Sequence, residues 1–309
     1  MILSFAARTA RTRAFPLFAL ALFAAGWVLP ALAEQQDWIG SGCTIVPGRL
    51  ELDGGTVQYS RAGQGRPVLL LHGLFAQKEQ WHAVMCALAA QGFDAIAPDL
   101  PGFGQSTGFA VTAYDLGEQA DRLHRFAQAL GLKDFALAGN SMGGTIAAIY
   151  AERYSKDLSR LAFVGPPLGV VEWGPKVRQA IEQGINPFIP VTADQFDLEM
   201  QLLFFDPPAI APELRETLVK SYVEHNRDYR QIWDIVNLYD TALDKPLHVD
   251  LPVFILWGEG DGIYPVDGAA KLQERLPGNR LVKLPRAGHL PMLERPAETA
   301  ARLAAFLRE

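Results

Sequence analysis

Unbroken apolar runs alternate with amphipathic stretches along most of this chain. The runs are "PVLLLHG" (67–73), "FDAIAPD" (93–99), "FALAGNS" (135–141), "LSRLAFVGP" (158–166) and "PVFILWG" (252–258). Each is short and bounded by Gly, Pro, Asp or Ser, as expected of strands buried on both faces. The stretches between them, "KEQWHAVMCALAAQG", "YDLGEQADRLHRFAQALG" and "TIAAIYAERY", carry apolar residues at helical spacing. Strand–helix–strand alternation predicts an α/β class with a doubly wound, mostly parallel sheet. Ahead of the first run, "GRLELDGGTVQYSRAG" alternates apolar and polar positions around Asp53-Gly54-Gly55, which predicts a β-hairpin.

The rhythm breaks between residues 166 and 250. There the strand runs stop, and "DQFDLEMQLLFF" (194–205) and "PELRETLVKSYVEHNRDYRQIWDIVNLYD" (212–240) read as helices. A long helical insertion between two strands of one sheet predicts a cap over that sheet rather than a loop. With 309 residues and no internal repeat, residues 48–309 read as one domain carrying this cap.

The N-terminus is a separate object. "MILSFAARTARTR" holds Arg8, Arg11 and Arg13 and no acid, and residues 14–33 are uncharged and end in Ala31-Leu32-Ala33. Basic, apolar and small-residue regions in that order mark an export signal, with cleavage after Ala33. Retained, the same stretch is long enough to cross a bilayer as an anchor. Residues 1–33 are therefore expected to be a signal peptide or membrane anchor, and the protein exported, periplasmic or membrane-anchored. Its two cysteines, Cys43 and Cys86, have two readings. Export permits a disulfide. Equally, Cys86 reads as a small buried hydrophobe on a helix and Cys43 as part of a loose leader.

A net charge of −6 with no basic stripe gives nucleic acid no surface to bind. Two cysteines make no zinc spacing, and the expectation is that no metal or cofactor is used.

The candidate chemistry begins at Gly139-Asn140-Ser141-Met142-Gly143, a G-x-S-x-G lying between a strand run and a helical pattern. A serine on so tight a turn takes a strained backbone, and glycines on either side avoid collisions with strand and helix. The turn pushes the hydroxyl into a cleft and aims the first helical N–H groups at the same space. Ser141 is therefore the candidate nucleophile.

A serine hydroxyl needs a base to take its proton. Of the six histidines, His289 lies in a turn before the final helix. His82 and His124 fall inside helical patterns, His225 and His248 fall in the cap, and His72 reads as a loop-stabilising residue at a strand end. The base needs an acid to fix its tautomer. Asp261 in "LWGEGDGIYP" follows a strand end, with Glu259 as the alternative in the same loop. Asp99 also ends a strand but precedes the serine, and is read as structural. Two backbone N–H groups would hold the oxyanion: Met142, after the nucleophile, and Leu74, in the loop after the first buried strand.

With "LLLHGLFAQKEQW", "APDLPGFGQS", "AGNSMGG", "ILWGEGDGIYPVDGA" and "AGHLPMLERP" in this order, residues 48–309 resemble the α/β-hydrolase superfamily. The cap stretch "INPFIPVTADQFDLEMQLLFFDPPAIAPELRETLV" and "VDGAAKL" resemble the membrane-anchored monoacylglycerol lipases and related bacterial esterases and lipases. The resemblance implies an α/β-hydrolase fold, a Ser141–Asp261–His289 triad, and hydrolysis of a small hydrophobic ester. Carbon–carbon bond hydrolases of ring-cleavage pathways share "GNSMGG". Their anionic substrates would need a cation, for which Lys176 and Arg178 are the candidates. A further reading is a catalytically weak protein of this fold that binds a hydrophobic ligand. "MQLLFF" (200–205) and "IWDIVNLY" (232–239) could wall an acyl chain, or simply pack cap on core.

Overall fold

The computed structural model describes residues 42–237, 247, 249–276 and 278–309. The N-terminal segment read as a signal or anchor, and His248, lie outside them. The chain opens with β1 (Val46–Leu52) and β2 (Gly55–Gly63), paired antiparallel so that Leu52 faces Gly55. Asp53 and Gly54 turn the hairpin with φ of 51° and 82°. Positive φ at both central residues matches the right-handed twist of the strands, and Asp-Gly suits it.

Then follow β3 (Arg66–Leu71), α1 (His82–Ala89), β4 (Phe93–Pro98), α2 (Leu116–Ala129), β5 (Phe135–Gly139), α3 (Met142–Tyr154) and β6 (Leu158–Val164). Four helices come next: α4 (Pro175–Glu182), α5 (Ala193–Leu203), α6 (Pro212–Glu224) and α7 (Asn226–Asn237). β7 (Val253–Gly258), α8 (Ala269–Arg275), β8 (Arg280–Leu284), α9 (Pro291–Glu294) and α10 (Pro296–Arg308) complete the chain.

The sheet order is β1-β2-β4-β3-β5-β6-β7-β8, parallel from β4 to β8 and antiparallel where β2 meets β1 and β4. From β3 the chain steps one way to β4 and then back past β3 to β5. Right-handed crossovers therefore put α1 on one face and α2 and α3 on the other. α1 packs on α10, and α2 on α3. Both sheet faces are covered, so β4, β5 and β7 are buried at every position, as continuous apolar runs require. The reversal beside β3 opens a crevice at the strand C-termini, where ligands bind in open α/β sheets.

Three local features differ from the sequence reading. β8 carries no unbroken apolar run. It is the edge strand, with only Leu284 fully buried, so burial does not impose one. The helix read across 212–240 breaks at His225, whose ψ of 15° leaves the helix and whose Nδ1 bonds the Ser221 carbonyl at 2.9 Å. Third, Cys43 and Cys86 form a disulfide with Cα atoms 5.5 Å apart, tying the segment before β1 to α1. The reading of Cys86 as a plain buried hydrophobe is corrected accordingly. The bridge spans 43 positions.

Candidate active site

Ser141 sits on the turn between β5 and α3 with φ 50° and ψ −116°, a conformation that costs a non-glycine residue of order 1–3 kcal/mol. Its neighbours explain how that strain is held. A Cβ at Gly139 would lie 2.2 Å from the Gly143 carbonyl oxygen, and one at Gly143 would lie 2.5 Å from that of His72. Backbone approaches this close admit glycine alone. The side chain of Ser141 is only 9% exposed and lines a cavity of about 540 Å³, counted with its open mouth.

His289 lines the same cavity. It follows β8 and immediately precedes α9. Its Nδ1 lies 2.8 Å from Asp261 Oδ2, and both side chains are buried. The other carboxylate oxygen of Asp261 accepts the Ile263 and Tyr264 N–H groups, each at 2.9 Å. Asp261 is thus fixed by its own turn and accepts a hydrogen bond from the His289 Nδ1–H, leaving His289 Nε2 as the lone-pair nitrogen. Glu259, the alternative acid, is exposed. Asp99 is wholly buried in a different network, bonding the Lys78 ammonium at 2.8 Å and the Lys78 and Gln105 N–H groups.

Leu74 lines the cavity just after β3, next to the serine turn. Met142 is the first residue of α3, whose N–H belongs to the first turn and has no partner within the helix. The expected oxyanion pair thus flanks Ser141 from two sides of the crevice. His72 supports this loop: its Nδ1 bonds the Gly73 carbonyl at 2.7 Å and its Nε2 accepts the Leu100 N–H at 2.9 Å. Burial pushes its pKa down to about 4, consistent with a neutral structural imidazole. His82 is also lowered to about 4 by burial and bonds Ser60. His124 packs flat on Tyr154, and its Nδ1 lies 2.8 Å from Asp157. His225 belongs to the break between α6 and α7.

Residues with no obvious mark in the sequence hold this constellation together. Asn140, the variable position of the serine motif, donates from Nδ2 to the Val164 carbonyl at 2.7 Å and to the His289 carbonyl at 3.1 Å. The His289 N–H in turn reaches the Leu203 carbonyl at the end of α5, 2.8 Å away. Glu294 accepts the N–H groups of Gly288 and Phe205. The histidine turn is therefore fastened to the serine turn on one side and to the cap on the other. Asn140→Ala is expected to lower kcat by roughly 10- to 100-fold with KM little changed, because misplacing a reacting group by ~1 Å costs about 10²-fold. Steady-state ester kinetics check this, and an unchanged kcat would show that the tether is dispensable.

The cap supplies the far wall. Trp173 stacks on Tyr264 at 5.1 Å, Phe188 lies 5.4 Å from Trp173, and Trp233 of α7 stacks on Phe188 at 5.3 Å. Of the two stretches considered as an acyl wall, Leu203 and Trp233 reach the cavity. Phe205 is 45% exposed, whereas Leu202 and Ile232 are buried in packing. The two stretches thus divide between wall and packing. Among the cap residues of the lining, Glu199 of α5 breaks the apolar pattern: it is 3% exposed, with the Tyr222 hydroxyl 3.1 Å from its Oε1. Burial pushes its carboxyl well above the usual range, the Tyr222 bond opposing only in part, so the uncharged form is favoured. Lys176 and Arg178 are exposed and are not among the lining residues. Among the described residues no group of three or more His, Cys, Asp or Glu is arranged to hold a metal.

A strand–elbow–helix serine, a histidine held by an aspartate from a later strand end, and helices inserted between β6 and β7 define a hydrolase architecture. The chain belongs to the alpha/beta hydrolase family, whose model matches residues 68–302. It is similar to the monoacylglycerol lipase ABHD6 of Mus musculus, 30% identical over 271 residues, covering 81% of this chain and 79% of that one. Among solved structures it is similar to a membrane phospholipase A described as a bacterial virulence factor, with a TM-score of 0.76, 30% identity, and coverage of 85% and 86%. The 2-hydroxy-6-oxo-6-phenylhexa-2,4-dienoate hydrolase of Rhodococcus sp. strain RHA1 shares the fold at a TM-score of 0.72 and 21% identity, with 86% and 100% covered. That likeness is one of fold alone.

Proposed function

We propose that this protein is a serine hydrolase of carboxylic esters, acting on monoacylglycerol-like lipids through an acyl-enzyme. The observation that carries the reading is the cavity itself: Ser141, His289 and Leu74 meet in one apolar chamber, with Asp261 bonded behind the histidine. Ser141 Oγ attacks the ester carbonyl as His289 Nε2 takes its proton. The N–H groups of Leu74 and Met142 hold the oxyanion, and removing one such donor costs ~3 kcal/mol. His289 then gives its proton to the departing alkoxide. Water, activated by the same imidazole, releases the fatty acid and restores Ser141. Similarity to a monoacylglycerol lipase and to a phospholipase A supports ester chemistry on lipids.

The aromatic and leucine walls suit one fatty chain. The absence of lysine and arginine from the described lining disfavours an anionic ring-cleavage product. Burial of each CH₂ adds ~0.8 kcal/mol. Across an acyl-ester series kcat/KM is expected to rise up to about fourfold per methylene from acetyl to medium chains, with monoacylglycerol above triacylglycerol. A panel hydrolysis assay including a ring-cleavage dienone tests this, and faster turnover of the dienone than of every ester would overturn it.

Residues 1–33 are proposed to export the chain or anchor it beside the lipid that supplies substrate. A disulfide between Cys43 and Cys86 suits an oxidising compartment. None of the described helices is long and apolar enough to cross a membrane.

A further inference from the structure

α5 presents Phe196, Glu199, Met200 and Leu203 at spacings of three, one and three residues, which places all four on its inward stripe. Three of them are apolar, as a cap-to-core contact demands. The fourth is a carboxylic acid that faces the chamber holding Ser141 and His289. Burying such a group is costly unless something pairs with it. Tyr222 satisfies Oε1, but Oε2 has no hydrogen-bond partner among the described residues. The chamber has a second orphan: Gln80 directs its Nε2 to Asn140 Oδ1 at 3.4 Å, and its Oε1 is left without a donor.

The two orphans ask for different things. Gln80 Oε1 can only accept. A protonated Glu199 carboxyl can donate from Oε2. A plain alkyl ester has acceptors only, so it would leave Gln80 unpaired. A head group with hydroxyls supplies donors and acceptors together. An anionic group would meet no described lining cation and would face a carboxyl.

We propose that Glu199 is the head-group specificity residue of this site, its unpaired Oε2 bonding a hydroxyl on the alcohol half of an uncharged ester. This inference rests on the esterase reading above and adds the residue that recognises the leaving alcohol. A site built to hydrogen-bond a hydroxyl rejects the analogue that lacks it, because its own buried polar groups are then stranded.

The test compares glyceryl monooctanoate with propyl octanoate, which share an acyl chain and differ in the hydroxyls of the alcohol. In the wild-type protein the glyceryl ester should lead in kcat/KM by about 10-fold or more. Glu199→Leu should bring the ratio to about 1, with the glyceryl ester losing more turnover than propyl octanoate. Glu199→Gln, which keeps a donor and an acceptor in the same place, should retain most of the preference. A wild-type ratio near 1 would overturn the assignment whatever the variants do. Equal loss on both esters in Glu199→Leu would also overturn it, showing a packing role. Turnover of neither ester by the wild-type protein would instead remove the esterase reading itself.

Discussion

Ser141→Ala is expected to lower kcat for any accepted ester by about 10⁴- to 10⁶-fold, with the protein still folded. Alanine leaves the elbow backbone in place and removes only the attacking oxygen. His289→Ala should cost about as much, because a hydroxyl without its base is a poor nucleophile. Asp261→Asn should cost roughly 10⁴-fold. Its Oδ2 accepts the His289 Nδ1–H bond at 2.8 Å, and an amide nitrogen turned to that position would donate instead and favour the wrong tautomer. The three losses should not add, since each disables the same proton path. Steady-state kinetics on p-nitrophenyl octanoate, with circular dichroism as the folding control, measure all of this. Wild-type turnover in Asp261→Asn would place the acid elsewhere.

The second large effect concerns stability. Opening the Cys43–Cys86 bridge releases a loop of 43 positions. Chain-entropy reasoning puts its stabilisation at about 4 kcal/mol, through the unfolded state. Domain stabilities run at about 5–15 kcal/mol, so this is a substantial fraction of the total. Urea unfolding of the oxidised protein against the Cys43→Ser, Cys86→Ser double variant should show the midpoint fall and the slope rise somewhat, because the freed unfolded chain exposes more surface. Identical midpoints would mean that the bridge does not form in solution or restrains nothing. The variant should keep its ester turnover when folded, because neither cysteine lines the cavity.

What the sequence reveals follows from how each feature is held. β3 to β7 are legible because burial on both faces forces unbroken apolar runs. The elbow is legible because Gly139 and Gly143 answer local collisions. Asp261 and His289 are legible because chain order and strand-end position mark them. The edge strand β8 has no such constraint. Asn140 and Glu294 act through backbone groups far away in the chain, which leaves no periodic signal. The disulfide depends on where the segment before β1 lies against α1, a tertiary fact that two isolated cysteines cannot convey. Glu199 passes in the sequence for one acid among several in "DQFDLEMQLLFF", and only the folded cap shows that it lines Ser141's chamber.

In the proposed mechanism Ser141 carries the acyl group. Reacting the protein with a fluorophosphonate, digesting it and locating the adduct by mass spectrometry tests this directly. The expected result is stoichiometric modification of the peptide containing Ser141, loss of ester turnover in step with labelling, and no adduct in Ser141→Ala. Full ester turnover in a protein modified at Ser141, or in Ser141→Ala itself, would contradict it.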